Sequence, residues 1–462
     1  MAWLSVTPAD GLVDEPRHIV AGGLQPGERV ELSAGTVRGP GVVWRSRARY
    51  GADARGEVDL ARDAPLAGSY EGVSAMGLLW SQAPEGPSTD WARRDVFASG
   101  PGASIVTELA LHRTFDGPFA GPSRLPEGGE RLATQRLVQR LAATGVTRQE
   151  VREQFGEERL VGTLYRPAGP GPHPAVLVLN GSGGGINEPR AALYASRGWA
   201  ALALGYFKAP GLSAYISHTR LELFEAALQW MHRRLQPAHG MVALSGQSRG
   251  GELVLLLGSL FPELVGAVVA YVPSACVHPA QNACDPSLGR EGAAWLWRGQ
   301  PFPDLWAGNR TASWAPWDEG PEPRRHTAAI LTALEDEQAV ARARIPVERI
   351  RGPVMLLSGS DDGSWPSSVF SRMVAQRLAA HGHPWPVQHL DFEGAGHSIL
   401  FPHVPTTQLT YAHPVSGRLS TTGGTPAANA RADEASWAGV QRFLGEALAA
   451  RARTHDLRGA PR

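Results

Sequence analysis

Two rhythms of apolar and polar positions divide the chain near residue 140. Before it, short apolar runs at 30–33, 41–45, 56–60 and 104–111 are separated by Gly, Pro and Asp. Turn residues at such intervals predict short strands and an immunoglobulin-like β-sandwich over residues 1–140. Residues 130–158 are charged with patches of helical spacing, which predicts a connector that enters a second domain through a strand near 160–165.

From Ala175 the rhythm becomes strand, glycine turn, helix, strand. Apolar runs at 175–179, 199–204, 241–244, 264–272 and 354–357 read as fully buried strands. Between two of them Thr219 and Glu222 are spaced as a capping box, and Leu221, Phe224, Leu228, Met231 and Leu235 recur at helical intervals. This alternation predicts an α/β domain over 141–462 with an open parallel sheet covered by helices on both faces. Residues 276–345 break the rhythm and hold Trp295, Trp297, Trp306, Trp314 and Trp317. Such an insertion either caps the site with aromatic faces or packs its tryptophans together to hold a long loop. A last helix over 433–450 is expected behind an Asp433 N-cap, with Trp437, Val440, Leu444 and Leu448 on its buried face.

The chain has 462 residues, of which 43% are hydrophobic and 19% charged, the balance of a globular protein of two or three domains. Formal net charge is zero, so no global field favours nucleic acid or an anionic membrane, and a small molecule is the expected partner. Any anionic ligand needs a local cluster of cations. No apolar run approaches the roughly eighteen residues of a membrane span, and the start lacks the pattern of a secretory signal, so a cytoplasmic location is expected. The two cysteines, Cys276 and Cys284, are too few for a disulfide framework or a closed metal site and read as buried thiols. No metal and no cofactor is expected.

Candidate chemistry centres on Gly246-Gln-Ser248-Arg-Gly250-Gly251, set between a short apolar run and an apolar helical run. Strand, Gly-x-Ser-x-Gly turn and helix are the context of a nucleophile elbow, which makes Ser248 the candidate nucleophile. A serine hydroxyl needs a base, and the base an acid that fixes its tautomer. In α/β-hydrolases acid and base follow the serine in that order, each on a loop after a strand. Here Asp361-Asp362-Gly-Ser-Trp-Pro follows the run at 354–357, and Glu393-Gly-Ala-Gly-His397 follows a run at 386–391. Asp362 is preferred over Asp361, with Glu393 third, and His397 is the base. Oxyanion donors are expected from the Arg249 N–H and from Ser182 or Gly183 in the turn Asn180-Gly-Ser-Gly-Gly-Gly185. That turn lacks the spacing of a nucleotide-phosphate loop.

These motifs resemble the acyl-CoA thioester hydrolases and bile-acid-CoA:amino-acid N-acyltransferases over nearly the whole chain. In the first domain the resemblance rests on Asp14-Glu-Pro16, on Ala48-Arg-Tyr-Gly-Ala-Asp-Ala-Arg-Gly-Glu-Val-Asp-Leu60 and on Met76-Gly-Leu-Leu-Trp80. In the second it rests on Gly181-Ser-Gly-Gly-Gly185, Gly246-Gln-Ser-Arg-Gly-Gly-Glu252, Ile345-Pro-Val-Glu348, Asp361-Asp-Gly-Ser-Trp365 and Gly396-His397. The resemblance implies a β-sandwich followed by an α/β-hydrolase domain, with Ser248, Asp362 and His397 as the catalytic set. A serine where the acyltransferases carry cysteine implies the hydrolase branch. The chain departs from the family in its longer, Trp-rich stretch before Asp362 and in one extra residue in the His397 loop.

The expected reaction is serine-dependent hydrolysis of acyl-CoA thioesters, the alternatives being carboxylester hydrolysis and acyl transfer to an amino acid. Arg190, Arg197, Lys208, the only lysine in the chain, and Arg249 are the cations considered for the CoA phosphates, none of them singled out, because surface ion pairing is the commoner role for such groups.

Overall fold

The structure is a computed structural model and describes residues 1–39, 41–85, 96–97, 102–114 and 129–459. It divides into two compact units, one of residues 1–143 with 400–412 and 425–437, the other of 144–399 with 413–424 and 438–462. The first unit therefore also takes in two late segments that a single break near residue 140 does not foresee.

In the first unit, Trp3–Thr7, His18–Gly22 and Val58–Asp59 form a three-stranded sheet. A seven-stranded sheet is built around Arg29–Arg38, Val42–Gly51, Ile105–Arg113 and Arg131–Arg140. Ile19, Ala21 and Val58 from one sheet share a core with Val30, Leu32, Tyr50, Leu109, Leu111 and Leu137 from the other.

The second unit carries an eight-stranded sheet: β1 (Thr147–Phe155), β2 (Glu158–Arg166), β3 (Ala175–Leu179), β4 (Ala200–Gly205), β5 (Val242–Gln247), β6 (Ala267–Tyr271), β7 (Val354–Gly359) and β8 (Val387–Phe392). Their order across the sheet is β1-β2-β4-β3-β5-β6-β7-β8. The pairs β1·β2 and β2·β4 are antiparallel and every later pair is parallel, so this is the α/β-hydrolase fold. Every residue of β3, β4, β6 and β7 is buried, which is why these strands read as continuous apolar runs. The principal helices are α1 (Glu188–Ser196), α2 (Glu222–Leu235), α3 (Arg249–Leu260), α4 (Ser367–Ala380) and α5 (Pro426–Gly459).

Several local expectations are corrected. The charged stretch at 130–158 is not a helical connector but two strands, Arg131–Arg140 and β1. β1 is the sheet's edge, where only Val151 is buried, so polar or charged side chains occupy every position but Val151 and Phe155 and hide the period of two. Thr219 does not cap α2. It lies in the short strand Thr219–Arg220, its hydroxyl donates to the Ile216 carbonyl, and the N-cap is Leu221 without a side-chain bond. Asp433 does not begin the last helix, which starts seven residues earlier at Pro426, and its carboxylate accepts from the Leu400 N–H.

The Trp-rich stretch 276–345 folds into three short helices, Ala315–Asp318, Thr327–Ala333 and Glu337–Ala343, and two short strands, of which Trp295–Trp297 pairs with Thr219–Arg220 and Gln300–Pro301 pairs with Trp295–Trp297. Trp295, Trp306, Trp314 and Trp317 are all buried. Trp306 stacks on Trp314 at 4.5 Å, and Trp295 donates to Glu252 at 2.9 Å. Their faces pack on protein, which is the loop-holding alternative.

Candidate active site

Ser248 sits between β5 and α3 with φ 59° and ψ −120°, a conformation that side chains rarely adopt. Close approach around it requires glycine. A Cβ on Gly246 would lie 2.1 Å from the Gly250 carbonyl oxygen, and one on Gly250 would lie 2.6 Å from that of Leu179. The backbone is tied at both sides, Ser248 N–H donating to Tyr271 O at 2.9 Å and Glu252 N–H to Ser248 O at 3.0 Å.

β7 and β8 deliver the other two predicted side chains to the same end of the sheet. His397 Nε2 lies 2.7 Å from Ser248 Oγ, and His397 Nδ1 lies 2.8 Å from Asp362 Oδ2. The second carboxylate oxygen of Asp362 accepts from the N–H groups of Ser364 at 2.8 Å and Trp365 at 3.2 Å. Ionised Asp362 is acceptor only, so Nδ1 carries the imidazole proton and Nε2 is left to accept from the serine hydroxyl. Trp365 stands edge-on to His397 at 5.8 Å and is itself fixed by donating to Val272 O at 2.8 Å. A hydroxyl so placed can pass its proton to the ring as it attacks a carbonyl. Asp361 and Glu393, the other acids considered, do not meet the imidazole. Asp361 pairs with Arg325 at 2.7 Å, and the Glu393 side chain is exposed.

The glycine turn after β3 closes through a Gly184 N–H to Gly181 O bond of 3.0 Å. It meets the elbow at Gly181, where a Cβ would lie 3.1 Å from Ser248 Cβ and 3.7 Å from Oγ. Asn180 shapes it, accepting from Gly181 N–H at 3.1 Å and donating to Gly184 O at 2.6 Å, while Tyr206 donates to Asn180 O at 2.5 Å. Ser182 and Gly183 occupy the centre of the turn, and Arg249 is the first residue of α3, where an N–H has no acceptor within its own helix.

Among the cations considered for CoA phosphates, the Arg249 side chain is corrected to a structural role. It is 1% exposed, pairs with the fully buried Glu252 at 3.0 Å, and donates to the His278 and Pro279 carbonyls and to Gln281. Arg190 is also buried, its guanidinium over the Tyr271 ring at 5.0 Å. Arg197 is half-buried. Lys208 is exposed beside the glycine turn, its Cβ 2.8 Å from where a Gly184 Cβ would stand. Cys276 and Cys284 are both buried free thiols, and burial pushes that of Cys276 up to about 12. Among the described residues no group of three or more His, Cys, Asp or Glu is arranged to hold a metal ion, and no helix is long and apolar enough to cross a membrane.

Sequence reasoning missed the segment that ties the acid and base loops together. The Thr422 carbonyl accepts from both Gly363 N–H at 3.0 Å and His397 N–H at 2.8 Å. Gly423, at φ 75°, lies so close that a Cβ there would be 2.0 Å from Asp361 O. The one available signal was the Gly423-Gly424 pair behind two threonines.

Comparisons with known proteins bear on what such a site does. Residues 14–153 match the family model for the acyl-CoA thioester hydrolase/BAAT N-terminal region, and residues 219–450 that for the BAAT/acyl-CoA thioester hydrolase C-terminal region. Mouse acyl-coenzyme A thioesterase 6 is 34% identical over 96% of this chain and 96% of its own length. Mouse mitochondrial acyl-coenzyme A thioesterase 2 is 32% identical over 97% of this chain and 90% of its own, and human acyl-coenzyme A thioesterase 1 is 32% identical over 93% of each. Superposition on solved structures is looser: a dienelactone hydrolase-like phosphotriesterase, P91, aligns at 19% identity and a TM-score of 0.38 over 65% of this chain and 98% of its own. With both family models matched in order and full-length relatives above 30% identity, the chain belongs to the acyl-CoA thioester hydrolase/bile-acid-CoA:amino-acid N-acyltransferase family.

Proposed function

We propose that the protein hydrolyses acyl-CoA thioesters to the free acid and CoA, with Ser248, His397 and Asp362 as its catalytic residues. The observation that carries this reading is the 2.7 Å contact between Ser248 Oγ and His397 Nε2 at a strained elbow, in a chain whose relatives are named acyl-CoA thioesterases.

In the first step His397 takes the Ser248 proton as Oγ attacks the thioester carbonyl. The Arg249 N–H and an N–H of Ser182 or Gly183 receive the developing oxyanion, a contribution of about 10²–10³ in rate per donor in comparable sites. The C–S bond breaks, and CoA takes the proton from His397 as it leaves as the thiol, which returns the imidazole to its neutral form. A thiol pKa of about 8.5 makes this departure less demanding than that of an alkoxide. In the second step His397 takes a proton from water, which attacks the acyl-serine ester, and the acid leaves as the proton returns to Ser248. Asp362 holds the ring tautomer and balances the imidazolium through both steps. Serine at the elbow favours water over an amine as acceptor, because the family's acyltransferase branch carries cysteine there.

The test is thiol release from acyl-CoAs of graded chain length, beside p-nitrophenyl esters and with and without glycine. Thiol release without dependence on glycine supports thioester hydrolysis. Ester turnover with no thiol release overturns it in favour of a carboxylesterase, and acylglycine as the main product overturns it in favour of acyl transfer.

A further inference from the structure

The acid loop is gripped by a side chain from the Trp-rich stretch. Arg325 Nη2 donates to the Asp361 carbonyl at 3.0 Å and to Asp361 Oδ1 at 2.7 Å. The other carboxylate oxygen of Asp361 accepts from Gly424 N–H at 3.0 Å, and Asp361 N–H donates to Ala395 O in the histidine loop at 2.9 Å. Two residues beyond Arg325, Thr327 donates its hydroxyl to the Asp362 carbonyl at 2.6 Å and its N–H to Gly363 O at 3.3 Å. The carbonyls of both aspartates are thereby held from one short stretch of chain, 325–327.

We propose that Arg325 is a positioning residue of the reaction: acting through Asp361, it fixes the acid loop so that only Asp362, of two adjacent aspartates, is presented to His397. The proposal rests on the reading of Ser248, His397 and Asp362 as the catalytic set. The physical need follows from the sequence. Two neighbouring carboxylates are equivalent in charge and reach, and a shift of the loop by one residue would offer His397 the wrong one. A guanidinium answers this because the two N–H groups of Nη2, fixed in the guanidinium plane, meet the carbonyl and the carboxylate of the same residue at once, which a freely rotating ammonium does less rigidly.

Magnitudes separate this role from a purely structural one. The Arg325 and Asp361 side chains are 39% and 48% exposed, and ion pairs this open to water add only about 0–1 kcal/mol to folding. A displacement of about 1 Å at reacting groups costs on the order of 10²-fold in rate. Loss of the pair should therefore register in turnover and hardly in stability.

The experiment measures kcat, KM and the denaturation midpoint for R325A, R325K, D361A and R325A/D361A, with an acyl-CoA and a p-nitrophenyl ester, and S248A as reference. The expected result is a fall in kcat of about ten- to a hundredfold for R325A and D361A on both substrates, with KM and midpoint little changed. R325K should recover part of the loss, and the double variant should be no slower than R325A. Added ethylguanidinium should restore part of the R325A rate and none of the D361A rate. Wild-type kcat in R325A, or a loss that tracks the midpoint and resists ethylguanidinium, overturns the inference alone. Full turnover by S248A overturns the underlying reading, and this proposal with it.

Discussion

Asp361 and Asp362, adjacent in sequence, turn their carboxylates to different partners, Asp361 to Arg325 at 2.7 Å and Asp362 to His397 at 2.8 Å. The two should therefore differ sharply on mutation. Asp362→Asn keeps the shape but reverses the demand on the imidazole tautomer, and kcat should fall about 10⁴-fold. Asp361→Asn should cost far less. Steady-state turnover of both variants on one substrate checks the order, and equal losses would contradict it.

Glu252 is fully buried and accepts from Arg249 and from Trp295, with a further bond from His278 N–H at 3.3 Å. Burial raises the Glu252 carboxyl above its usual range, and the Arg249 guanidinium opposes that rise. Removing one partner leaves the other charge buried and alone, so Glu252→Ala should destabilise the protein by about 3–5 kcal/mol. Denaturant unfolding measures it, and a change below about 1 kcal/mol, the worth of an exposed pair, would contradict the buried network.

Trp306 and Trp314, stacked at 4.5 Å and each 7% exposed, should behave as core. Trp306→Ala is expected to cost about 3–5 kcal/mol of stability while leaving the order of preference among acyl chain lengths unchanged. A shifted chain-length profile with wild-type stability would show that these rings face substrate.

His326 stacks on Trp317 at 4.4 Å and lies 5.0 Å from His413, and both imidazoles are buried. Burial lowers His326 to about 3, helped by repulsion from neighbouring histidines when they are charged, and burial lowers His413 to about 4. In the unfolded chain each titrates near 6.5, so below that pH the unfolded state binds protons that the native state refuses. Stability is therefore full above about pH 6.5 and falls as pH drops, by about 2 kcal/mol per histidine at pH 5. His326→Phe, which keeps a ring on Trp317, should flatten the slope of unfolding free energy between pH 5 and 7. An unchanged slope would contradict the buried neutral form.

Much of this was readable from residue type alone. β3 to β7 were legible because burial on both faces demands uninterrupted apolar runs, Ser248 and Asp362 because each stands on a glycine-marked loop after such a strand, and His397 because it stands behind two glycines after β8, in the order that an acid and then a base should follow the serine. β1 was not, since this edge strand is polar or charged at every position but Val151 and Phe155. Nor was the role of residues 419–424, because what Thr422 contributes is a main-chain carbonyl that any side chain could accompany. The place of the Arg249 side chain was hidden for a related reason. Its charge left a ligand role open, whereas Glu252, three residues on, already satisfies it inside the core.

The central claim is that Ser248 receives the acyl group from CoA. Rapid acid quench of the protein with an acyl-CoA, followed by mass analysis of its peptides, tests this most directly. The predicted result is one acyl mass on the peptide bearing Ser248, formed together with an equivalent of free thiol and absent from Ser248→Ala. Undiminished thiol release by Ser248→Ala, or an acyl group on any other residue, would contradict it.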